Sequence, residues 1–160
     1  MLGRIVVLAS VLILASSAAM SAAEHATPDD MDVVCRNWLT HIVRTSGSWD
    51  GTAAPRISSA QDLKDEEGTL ARAYAIWPGG SVVVQSSKNA APVSAFSQHN
   101  TFTFDSPHRT RDELAASLRE RARASREAPD EYVRSVWEWL LCDPAEFLSS
   151  GDIRSSDGRV

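Results

Sequence analysis

The sequence predicts an α+β fold, an antiparallel β-sheet of about four strands packed against N- and C-terminal helices. Three observations predict it. Apolar residues recur at helical spacing just after residue 27, β-rich runs follow one another between 70 and 104, and two further helical patterns close the chain. The connections between the β-rich runs are too short for parallel crossovers, so the strands should pair antiparallel, with the helices on one sheet face. The length of 160 residues suits one domain. With 16 Lys and Arg against 21 Asp and Glu, the net charge of −5 argues against non-specific binding to nucleic acid or anionic lipid. An apolar fraction of 43% is too high for a wholly disordered chain.

Residues 1–23 read as a secretory signal peptide. Arg4 precedes the apolar run from Ile5 to Ala15, and Ser21-Ala22-Ala23 offers the small side chains a signal peptidase reads. The run is short for a membrane span, so no membrane attachment is expected after cleavage. Export to a periplasmic or extracellular compartment follows, with a folded domain over 24–142 and a flexible tail over 143–160. In an oxidising compartment Cys35 and Cys142 read as a disulfide, or else as two small apolar core residues. A bridge closing so long a loop is worth at most about 4–5 kcal/mol.

The first helix starts at Thr27, a capping residue, with Pro28 at its first position and Asp29 and Asp30 at the positive end of the dipole. Met31, Val34, Cys35, Trp38, Leu39 and Ile42 form its apolar stripe, and Gly47 ends it. Residues 45–68, rich in Ser, Gly, Thr, Ala, Asp and Pro, read as a long surface connection, with a helical turn at Ala60–Leu63. The Asp65-Glu66-Glu67 cluster reads as a solvated turn.

Leu70–Trp77 and Ser81–Ser86, joined by Pro78-Gly79-Gly80, read as a hairpin. The unbroken Val82-Val83-Val84 suggests a central strand covered on both faces. A third strand is expected over Pro92–Ser97 and a fourth over Thr101–Phe104. Thr110-Arg111-Asp112-Glu113 matches a capping box and opens a helix to about Glu127, with Leu114, Leu118 and Ala122 inward. Arg119, Arg121, Arg123 and Arg126 read as a solvated face paired with nearby acids. The last helix carries Tyr132, Val133, Val136, Trp137, Leu140 and Leu141 on one stripe. Trp139 lies off it, as a second contact or an exposed anchor for a partner.

No chemistry announces itself. His25, His41, His99 and His108 have no metal-binding spacing, no Gly-x-Ser-x-Gly elbow appears, and neither cysteine has the neighbours of a nucleophile. The residues therefore predict neither enzyme activity nor a cofactor or metal.

The segment from Ala73 to Lys88, with Ala91–Ser97 and Phe102 beyond it, resembles the central motif of the Spi protease inhibitor and streptopain propeptide family. In that motif a strand, a Gly-Gly turn and a second, Val-rich strand lead into a Pro-x-hydrophobic segment. The helices around Trp38-Leu39 and from Glu113 to Arg123 fall where the family has its own. The resemblance spans roughly residues 31 to 125. Ser87-Lys88 stands where acidic residues are usual, and Ala95-Phe96-Ser97 replaces a Gly-Tyr-Ser.

What the resemblance implies is a domain that occludes the cleft of a papain-fold cysteine protease of the streptopain type, as a propeptide or a separate inhibitor. The alternative is an exported binding module of the same fold with no protease target. Candidate protease contacts are Trp77, Pro78, Gly79 and Gly80 at the hairpin tip, and Phe96, Ser97 and Gln98 near the third strand. Each of these residues also reads as an ordinary core or turn position.

Overall fold

The computed structural model describes residues 25–66, 68–104, 111–127 and 130–149, so the signal-peptide reading of 1–23 and the Thr110 cap lie outside the described residues. The order is α1 (Pro28–Ser46), β1 (Arg56–Asp65), β2 (Gly68–Trp77), β3 (Ser81–Gln85), β4 (Val93–Ser97), α2 (Arg111–Glu127), α3 (Glu131–Leu140) and α4 (Pro144–Ser149). The strands form one antiparallel sheet in the order β1-β2-β3-β4. The predicted α+β architecture is therefore present.

Helix α1 begins as its sequence dictates. The Thr27 side chain accepts from the Asp30 amide and the Asp30 carboxylate accepts from the Thr27 amide, which satisfies two donors the first turn leaves open. Gly47 ends the helix in the left-handed region, at φ 83°, and its amide donates to Val43 O.

Two cores lie on opposite faces of the sheet. Tyr74, Ile76, Val82 and Val84 face α1, α3 and α4, meeting Met31, Val34, Leu39, Trp137, Leu140 and Phe147. Ala71, Ala73, Val83 and Leu63 face α2, meeting Ala115, Leu118 and Phe104. The helices thus cover both faces and not one, which is why all five residues of β3 are buried. Asn37, buried on α1, ties the helices together: its Nδ2 donates to Leu140 O at 3.0 Å and to Cys142 O at 2.9 Å. That link stands where the sequence suggested a disulfide. Cys35 and Cys142 are both free thiols, and burial pushes the Cys35 thiol well above its ordinary range.

Four other expectations are corrected. Residues 56–65 form a strand, not a surface connection with a helical turn. Residues 101–104 form no strand: Phe102 N donates to Ser81 Oγ and Phe104 N to Gln61 Oε1, so side chains take the place of a ladder. Residues 144–149 form α4 and not a tail, with Phe147 buried and Asp143 accepting from Ala145 N at 2.8 Å. Tyr132, placed on the buried stripe of the last helix, is 61% exposed.

Arg72 on β2 links three elements. Its Nε donates to Asp62 on β1 at 2.6 Å and its Nη1 to Asp32 on α1 at 3.0 Å, while the Tyr74 hydroxyl donates to the same Asp32 oxygen at 2.7 Å. The hydrogen bond from Arg72 holds the Asp62 carboxyl below its usual range, so the stability this group contributes is complete above about pH 4. It is lost as pH falls through the lowered native value. Burial, aided by the Asp32 carboxylate, pushes the Tyr74 hydroxyl upward, so its contribution is complete below about pH 10 and lost above it. Cys35 acts in the same direction from about pH 8.5. Urea unfolding between pH 2 and 11 should therefore give a midpoint that falls at both ends. Tyr74→Phe should flatten the alkaline limb above about pH 10, and Arg72→Gln should shrink the acid limb.

A candidate binding surface at one end of the sheet

The hairpin tip and the end of β4 meet at one end of the sheet. Residues 77–80 join β2 to β3 through a cis Trp77–Pro78 bond. Ile76 N donates to Gly80 O at 3.1 Å, closing the turn. Gly80 sits in the left-handed region at φ 92°, and a side chain there would run into Ser97 O and the backbone of Gln98. The pairing of Ser81 with Ser97 completes this junction. Gly79, Gly80, Ser97 and Gln98 are thus one packed unit.

Beneath it lies Trp49, fully buried, whose Nε1 donates to Gly79 O at 2.8 Å. Asp50, at φ 44°, packs on Gly79 and meets His99 Nδ1 at 2.9 Å. The loop 49–52 is pinned by reciprocal bonds between Trp49 and Thr52. A large aromatic in a Ser- and Gly-rich stretch was the sequence signal for this support, since an indole left in water forfeits the burial of its apolar area.

Trp77 and Phe96 remain exposed, at 46% and 48%. They point to opposite faces of the sheet. Trp77 is in step with Ala71 and Ala73, on the α2 side, and the Arg56 guanidinium lies 4.5 Å from its ring centroid. Phe96 pairs with Val82, on the α1 side, and its ring approaches Trp38 at 5.3 Å and Trp49 at 6.3 Å. The seven nominated residues therefore share one end of the molecule but not one flat surface. Trp139 is not an exposed anchor. It is half-buried, with its ring 5.0 Å from His41 and 4.7 Å from Phe147.

Strand β4 is an edge strand, and among the described residues no strand pairs with its outer side. A shallow recess of about 230 Å³, lined by Val83, Ala95, Phe96 and Phe102, opens beside it. An edge of this kind can accept an extended chain through main-chain hydrogen bonds, with the recess receiving an apolar side chain. Among the described residues no group of three or more His, Cys, Asp or Glu could hold a metal ion, and no helix is long and apolar enough to cross a membrane. His25 lies apart from His99, its Nδ1 3.3 Å from Ser86 Oγ, and His108 is outside the described residues. In comparisons with known proteins, no family model, no curated protein and no solved structure matches this chain.

Proposed function

We propose that this chain is an exported inhibitor or propeptide-like domain that occludes the cleft of a streptopain-like cysteine protease. The observation that carries the proposal is the convergence of residues 77–80 with 96–98 into a single end of the sheet, propped by the buried Trp49. Inhibition of this kind needs shape and main-chain groups, with no bond-making group on the inhibitor. The exposed Trp77 ring, the open edge of β4 and the recess beside Phe102 are of the type that anchors a protein interface. The segment that resembles the central motif of the Spi and streptopain propeptide family lies on β2, the hairpin turn, β3 and β4, the elements that build this end.

The test is titration of a purified streptopain-like protease with the chain lacking residues 1–23. Inhibition that saturates at micromolar inhibitor, with a complex that co-elutes on size exclusion, is the expected result. The absence of both inhibition and a complex at those concentrations would overturn the proposal.

A further inference from the structure

The sheet has two outer strands, and only one of them is guarded. Strand β1 carries four charged residues, Arg56, Asp62, Lys64 and Asp65, and two register shifts against β2, and both features hinder a further strand from pairing. Strand β4 carries no charged residue and no proline, and its outer side is unpaired among the described residues. Its side chains are uncovered as well. Ala95 and Phe96 point to opposite faces of the sheet and both are exposed, whereas all five residues of the neighbouring β3 are buried.

On the α2 side the gap follows the strand. Helix α2 packs on β1 and β2, and three recesses adjoin one another beside β4. The recess of about 230 Å³ at Phe102 shares Val83, Ala95 and Phe102 with a second of about 200 Å³, walled by Phe104 and Leu114. The second shares Ser94 and Arg121 with a third of about 490 Å³ that reaches Val93 and Val133. On the α1 side the Phe96 ring, 5.3 Å from that of Trp38, offers an apolar floor. The described lining of the three recesses carries one cation and one anion, Arg121 and Asp130, so its charge is balanced.

These features select the occupant. Unpaired main-chain groups take an extended backbone, and apolar floors on both sides take apolar side chains at consecutive positions, the pattern of a strand covered on both faces. A balanced lining beside an uncharged strand complements a neutral segment and favours neither an acidic nor a basic one. A second copy pairing β4 on β4 would offer Ser94, Ala95 and Ser97, side chains too small to fill the recesses. We propose that the outer edge of β4 takes up, as an added strand, an uncharged segment of a partner protein with several consecutive aliphatic residues. The edge is one that the proposed inhibition also uses, but the inference goes beyond that reading and holds whether or not the partner is a protease.

The probe is a dye-labelled peptide of about seven residues with consecutive valines and leucines and a polyethylene glycol tail for solubility, titrated with the purified chain by fluorescence anisotropy. Saturable binding is expected. Methylating every amide nitrogen of the peptide keeps its side chains and removes its donors, and should weaken binding at least about tenfold. Glutamate or lysine in place of the central leucine should each weaken it to a similar degree. Ala95→Lys, which puts a charge into the recesses beside β4, should abolish binding, while Ala60→Lys, at an exposed position of β1, should leave it unchanged. Near-UV circular dichroism checks the packing of both variants, and the altered peptides decide the matter on the unaltered chain. Equal binding of the methylated or charged peptides, equal binding by a folded Ala95→Lys variant, or no saturation at millimolar chain would overturn the inference. So would a dimer that Ala95→Lys dissociates and that binds no peptide, which would assign the edge to a second copy. No protease enters this assay, so its failure leaves the inhibition titration to stand or fall separately.

Discussion

Trp49→Ala should destabilise the domain by about 3–5 kcal/mol and loosen the end of the sheet that the proposed inhibition uses. The indole is fully buried, so its removal leaves a cavity in the core that α1 shares with the sheet. It also strips Gly79 O of its 2.8 Å donor and takes away one of the rings against Phe96. The loss should be local as well as global, because the reciprocal bonds of loop 49–52 no longer have a buried anchor. Urea unfolding gives the first quantity. Amide exchange at residues 77–80 and 97–99 gives the second, with faster exchange expected there than in the helices. Trp49→Phe, which keeps an aromatic ring but loses the N–H and part of the indole's volume, should cost about 1–2 kcal/mol.

Gly80→Ala should cost about 2–4 kcal/mol, although it adds a single methyl group. Two effects combine. The left-handed backbone at φ 92° disfavours any side chain, and the new Cβ would meet Ser97 O and the Gln98 backbone, which cannot swing aside as a flexible side chain would. Relief requires the start of β3 to part from the end of β4, opening the Ser81–Ser97 pair. Protease inhibition should then fall further than global stability does. Gly47→Ala is the matched control. It places a side chain on a left-handed residue as well, but nothing lies within 4 Å of the new atom, so it should cost only about 1 kcal/mol and leave the tip unaltered.

These two positions mark what the sequence made legible. The hairpin could be read because Pro78-Gly79-Gly80 interrupts two β-rich runs, and the central place of β3 because three successive valines need cover on both faces. That second reading also required helices on both faces, which the expectation of a one-sided stack overlooked. Strand β1 was hidden because Ser, Ala, Gln, Asp and Lys dominate it. Only Leu63 is buried, and two register shifts against β2 break the alternation that would have announced it. The opposite error arose at 101–104, where Thr-Phe-Thr-Phe alternates cleanly but Ser81 and Gln61 take the amides. Helix α4 is a turn and a half with one buried side chain, too short for periodicity to register. At the candidate site, the two nominated stretches were legible singly. Their convergence, and the support from Trp49, Asp50 and His99, depends on pairing across the sheet that spacing along the chain does not encode.

In the proposed inhibition, the end formed by residues 77–80 and 96–98 is what meets the protease. Hydrogen–deuterium exchange of the isolated chain against its protease complex tests this most directly. Slowed exchange concentrated at those residues and along the outer edge of β4 is the predicted result. A complex whose protection falls elsewhere, with the amides of Gly79, Gly80, Ser97 and Gln98 exchanging as in the free chain, would contradict it.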